Sequence, residues 1–300
     1  MPFAKSRGEL SAPSGRGDGW AQIGPGPWGA RGATLLPRAT PTVARMRVPD
    51  VVAVDAPPSR RRRQSRNRPW REGGASTARW GADLLGGAMV ATGSGALGAR
   101  AASVLLPPGD APAAAQAVIW VSFAAPIVVA WSRSRPRGLL RFRALDLLYG
   151  VVFGVILRLC QGALAEREMG PAPWPSTPSF PGSLPDGFLG DVIAGVVVAP
   201  VLEELFFRGV VLVCVYTVVR RWSGRVSGAV AATAISSALF VGAHLLAAPV
   251  PAPDVWTLTL VGIVTAALVL GTGRIGAALT THVVFNATGF ALVAVGTLWG

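Results

Sequence analysis

From residue 80 onward the chain alternates apolar runs with short polar breaks, each run approaching the ~20 residues that a helix needs to cross a bilayer. In hydrocarbon every backbone N–H and C=O must find its partner within the fold, so runs of this kind form helices. Seven spans are expected, at 84–106, 113–131, 146–165, 188–219, 226–247, 255–272 and 276–298. The fold class that follows is all-α: a multi-pass helical membrane protein with about seven transmembrane helices. Composition agrees, with 51% hydrophobic and only 14% charged residues, where a soluble domain carries roughly 25% charged. The first span, rich in Gly and Ala and carrying Arg100, has the weakest signal. The fourth has 32 residues and would measure about 48 Å as one rod, against a core of about 30 Å. Pro200 divides it, so a kink or a half-buried leading segment is expected there.

Charge sets the expected orientation. Arg133, Arg135, Arg137, Arg141 and Arg143 lie between spans two and three, Arg220, Arg221 and Arg225 after span four, and Arg274 after span six. The alternate connections hold only Arg167. This bias predicts a cytoplasmic N-terminus. Residues 1–79 contribute +10 of the net charge of +13, lack apolar periodicity and are punctuated by Gly, Pro and Ser. They read as a disordered cytoplasmic tail ahead of a helical domain at 80–300. Arg60–Arg63, continued by Arg66, Arg68 and Arg71, suits anionic lipid headgroups better than a specific nucleic acid, and a tail without specific function is the plainer reading. Two cysteines, Cys160 and Cys214, both in apolar runs, exclude a disulfide scaffold. Abundant Arg with a single Lys (Lys5) suggests a high-GC bacterial genome, and hence a bacterial plasma membrane.

Ionisable groups within a span cost roughly 2.5–3.5 kcal/mol each, so each demands a reason. Span four carries Glu203, Glu204 and Arg208. Glu204 and Arg208 stand at i and i+4, with the acid first, which pairs them on one face. Glu203 is turned about 100° away and needs a wet cavity or partners on other helices. The chain has two histidines, and both fall in spans: His244, one turn after Phe240, and His282, one turn before Asn286. A lone buried His is usually structural. Their joint occurrence with a Glu pair and an Asn argues for a site.

The ordered set Glu203-Glu204-x-x-x-Arg208, Phe240-x-x-x-His244 and His282-x-x-x-Asn286 resembles the CPBP family. These CAAX-protease and bacteriocin-processing (Abi) membrane proteins include the eukaryotic type II prenyl-protein endopeptidase. The resemblance covers 185–298 and implies an intramembrane endopeptidase acting on a membrane-associated peptide or protein. It implies that Glu203 activates the attacking water with help from His244, that His282 and Asn286 hold the oxyanion, and that Glu204 with Arg208 fixes the helix. No cofactor is expected, with zinc on Glu203, His244 and His282 as the alternative, since an oxyanion site explains Asn286 and a zinc site does not. A non-catalytic scaffold or sensor, or a proton or solute transporter, is the competing class.

Depth counts against the site. His282 lies eight residues from Arg274, about 12 Å in, against about 26 Å for Glu203 and His244 on straight helices.

Overall fold

A computed structural model describes residues 68–171, 174–180, 182–247 and 250–299. Among them every regular element is helical. The elements are α1 (Ala82–Leu105), α2 (Ala111–Arg133), α3 (Ala144–Met169), α4 (Phe188–Ile193), a π-helical segment (Ala194–Val198), α5 (Ala199–Glu203), a second π-helical segment (Glu204–Val211), α6 (Leu212–Ala247), α7 (Ala252–Thr272) and α8 (Gly276–Trp299). Helix thus occupies all seven expected stretches, and four of the helices, α2, α3, α7 and α8, are long and apolar enough to cross a membrane.

The segment carrying the Glu pair is the central rod. Phe206 to Val213 are almost wholly enclosed, and Phe206 and Phe207 pack against Phe123 with ring centroids 4.6 and 5.3 Å apart. Gly224 ends this rod. It adopts φ 84°, a left-handed conformation that only glycine reaches without strain, and divides α6 into two arms. The second arm returns alongside the first, with Gly228 against the Arg220 backbone and the Ser236 hydroxyl donating to the Phe207 carbonyl at 2.9 Å. The outer helices expose Val90, Leu97, Val121, Val128 and Leu159, as lipid-facing surfaces do.

Small residues let the rods approach. At Gly150 and Gly154 of α3, an added Cβ would lie 2.3 Å from Thr280 Cβ and 2.8 Å from Val284 Cβ of α8. Such close backbone packing is how helices associate where water supplies no hydrophobic drive.

The described residues begin ahead of the boundary expected at residue 79. Residues 68–80 form a strap with two short 3₁₀ turns, Trp70–Glu72 and Ala75–Thr77, and bury Trp70 and Trp80 completely. Trp70 Nε1 donates to the Gly273 carbonyl at 2.9 Å, and its backbone N–H to the Arg137 carbonyl. Tyr216 donates to the Arg71 carbonyl at 2.8 Å, and Arg220 to that of Glu72 at 2.9 Å. The indoles supply the apolar area that an otherwise polar stretch lacks. The remainder of the expected tail, with Arg60–Arg63, lies outside the described residues.

The strap also touches all three Arg-rich connections, which gather at one end of the bundle. There Arg274, in the α7–α8 turn, pairs with Asp146 at 2.6 Å, a hydrogen bond that pushes the guanidinium pKa up. The same carboxylate accepts the Arg143 N–H at the start of α3.

Candidate active site

Pro200 has no N–H to offer the carbonyl four residues back, so the backbone register around it is free to slip. The chain takes the wider winding on both sides. Ala199 N–H bonds to Ala194 O and Leu212 N–H to Phe207 O, each five residues back. Single π turns of this kind concentrate where side chains must be re-aimed. Here they bracket Glu203 and open the stretch that begins at Glu204.

Glu204 and Arg208 pair as their spacing predicts, Oε1 to Nη1 at 3.3 Å, both side chains fully buried. The guanidinium lies over the Phe240 ring at 4.5 Å and reaches the Gly262 carbonyl at 3.4 Å. From α8, His282 comes to the same carboxylate, Nδ1 to Glu204 Oε1 at 3.0 Å. An ionised carboxylate only accepts, so the Nδ1 proton faces Glu204 and the other ring nitrogen faces away. That nitrogen, Nε2, stands 3.7 Å from Glu203 Oε2. Glu203 is the more accessible acid, with 15% of its side chain exposed against none for Glu204. The partner it lacks on its own helix is thus supplied by α8.

The mismatch in depth disappears. Bonding five residues apart shortens the rod over Glu204–Val211, but by much less than the difference in depth expected from straight rods. Contact between His282 and both glutamates replaces the separation expected from straight rods.

His244 and Asn286 are less direct members. Nδ1 of His244 bonds the Phe240 carbonyl at 2.9 Å, which leaves Nε2 as its accepting nitrogen in the neutral ring. Its link to the acids is Phe240, whose ring packs against His244 at 4.6 Å and His282 at 5.7 Å between centroids. Asn286 lies one turn beyond His282, but its amide donates to the Gly195 carbonyl at 2.8 Å in the first π segment. His282 and Asn286 share a face of α8 but bond different partners. The two His282 nitrogens are turned to the two carboxylates, Nδ1 at 3.0 Å from Glu204 and Nε2 at 3.7 Å from Glu203.

The alternative zinc set is Glu203, His244 and His282. Glu203 and His282 approach one another, but His244 does not complete the group, and among the described residues no three His, Cys, Asp or Glu side chains converge on a metal position.

Asn286 and Gly195 also line a cavity of about 1320 Å³ between α3, α8 and the first π segment. Two of its polar walls, Arg158 and Gln161, escaped the reading of the sequence. Arg158 falls inside the third apolar run, and the cost argument that singled out Glu203 applies to it equally.

Residues 185–288 match the family model for type II CAAX prenyl endopeptidase Rce1-like proteins. This segment is similar to that family. No curated protein and no solved structure matches the chain. The Rce1-like segment contains Glu203, Glu204, Arg208, His244, His282 and Asn286, and excludes α3 with Arg158. The resemblance read from the three motifs is thereby established for this segment, and the family it names points to a membrane endopeptidase.

Proposed function

We propose that the protein is an intramembrane endopeptidase in which Glu203 activates water against a peptide bond of a membrane-associated substrate. The observation that carries this reading is the asymmetry of the acid pair. Glu204 is enclosed and held by Arg208 and His282, whereas Glu203 keeps access to solvent beside His282 Nε2. One carboxylate is built into the framework and the other is left to work.

In the proposed reaction a water hydrogen-bonded to Glu203 loses its proton to that carboxylate as its oxygen bonds to the scissile carbonyl carbon. The carbonyl π electrons move to oxygen, and an N–H of Asn286 supplies a donor to it. Collapse breaks the C–N bond. The proton held by Glu203, directly or through His282 Nε2, passes to the departing amine, so water is consumed and no cofactor is required. Glu204 positions His282 through Nδ1. His244, whose Nε2 is left to accept, has the assisting role that the family motif implies.

The proposal includes seven crossings, a cytoplasmic N-terminus and a bacterial plasma membrane, supported by the Arg bias of the connections and by their gathering at one end of the bundle. Anionic lipid beside the Arg-rich tail belongs to the same proposal.

The test is comparative peptidomics of membranes from cells carrying the native chain or its Glu203→Gln form. Peptides released only by the native chain are expected. Identical peptide sets, with both proteins present at equal level, would refute the assignment.

A further inference from the structure

The axial position of α8 decides where His282 stands against the acids, and α8 packs on α3 in one repeating register. Gly150, Gly154 and Arg158 recur every four residues along α3 and meet Thr280, Val284 and Thr288, which recur every four along α8. Both glycine steps are apolar contact, which has no preferred direction. The third step is different, because a guanidinium is a planar fork with fixed donor directions. Arg158 lies 4.0 Å over the Phe285 ring, and donates from Nε to Thr288 Oγ1 at 3.3 Å and from Nη2 to the Phe285 carbonyl. Gly289 leaves room for it, since a Cβ there would stand 2.4 Å from Nη2. The turn of α8 that Arg158 grips begins at Phe285, between His282 and Asn286.

The fork is itself braced. Nη1 donates to Gln161 Oε1, and Gln161 Nε2 donates at 2.8 Å to Asp254 Oδ1, in the first turn of α7. Only one orientation of the amide makes both bonds, with its oxygen towards the cation and its nitrogen towards the carboxylate. Asp254 also acts on Arg158 electrostatically, so the cation has its counter-charge within the network. Helix α7 in turn receives Arg208 at the Gly262 carbonyl, 3.4 Å away, and Arg208 belongs to the rod that carries the acid pair. We propose that Arg158, braced by Gln161 and Asp254, is a positioning residue that sets the register of α8 and so holds His282 against Glu203 and Glu204. Its bearing on catalysis rests on the peptidase reading. Arg158 and Gln161 lie outside the family-matched segment, 185–288. Register matters because a misplacement of about 1 Å can cost about 10²-fold in rate.

The experiment uses the full chain in nanodiscs, purified without a histidine tag, with isotope-labelled imidazole nitrogens read by nitrogen NMR. Only His244 and His282 contribute, and His282→Gln assigns the two sets of signals. In the native chain His282 should show one sharp pattern with Nδ1 protonated; its absence there overturns the proposal. Arg158→Leu should blur that pattern into several exchanging forms, and Arg158→Lys, which can still donate to the Phe285 carbonyl, should restore most of it. His244, bonded to its own helix at Phe240, should not move in either variant. Unchanged His282 signals in a folded Arg158→Leu chain overturn the proposal. So do changes at both histidines, which mark general loosening. If Arg158→Leu does not fold, Gln161→Leu, which keeps the cation and removes its brace, decides by the same two outcomes. On a peptide cut by the native chain, Arg158→Leu should lower kcat about 10²-fold with KM within about twofold. A raised KM with kcat retained would make Arg158 a substrate contact and overturn its positioning role. Absence of cleavage by the native chain would remove the peptidase reading instead, and the His282 signals would still decide the register role.

Discussion

Glu204 and His282, 78 positions apart in the chain, meet in a buried hydrogen bond of 3.0 Å. The same carboxylate oxygen faces Arg208 at 3.3 Å, so one atom ties together two turns of the central rod and helix α8. The bond also sets which nitrogen of His282 is turned to Glu203.

Breaking that knot from one side should be costly. Glu204→Ala leaves the Arg208 guanidinium enclosed without its carboxylate, and removing one partner of a buried pair costs about 3–5 kcal/mol. The double change Glu204→Leu with Arg208→Met should be milder than the single one. Thermal unfolding in detergent micelles measures both, and equal losses would show that the pair is not coupled.

Packing of α3 on α8 offers an independent test far from the acids. Gly150→Ala places a Cβ 2.3 Å from that of Thr280, and overpacking of this kind costs about 1–3 kcal/mol. A lowered midpoint of unfolding is expected. Gly86→Ala, in a helical position with open space around it, should hold or raise the midpoint.

The strap should come loose when its anchor is removed. Trp70→Ala deletes a fully buried indole together with its hydrogen bond to Gly273, a loss of about 3–5 kcal/mol. Limited proteolysis should then cut within 68–80, where the native chain resists. Unchanged resistance would mean that Trp80 and the backbone bonds hold the strap without Trp70.

If water activation needs no metal, chelation should not matter. Cleavage by purified protein is expected to survive incubation with 1,10-phenanthroline, whereas loss of activity restored by zinc would contradict the proposed chemistry.

The helices and the acid–base cluster were legible in the chain for one reason: polar groups are so expensive in hydrocarbon that each announces itself. The i, i+4 rule found Glu204 with Arg208, and the family motifs brought in His282. The π winding around Pro200 was not legible, because a shift from four- to five-residue bonding leaves composition unchanged. The strap was hidden because two tryptophans in a polar, Gly-rich stretch have no period to detect. Asn286 shares a helical face with His282, but the bond of its amide to Gly195 lies across to another segment, which no spacing rule within one helix reveals.

The account turns on Glu203, and one ratio tests it most directly. On a peptide released by the native chain, the cleavage rate of purified Glu203→Gln is compared with that of the native protein, both folded to the same midpoint of unfolding. A fall of at least about 10²-fold is expected from loss of a general base. Rates within about twofold, well short of that general-base effect, would contradict the role given to this carboxylate.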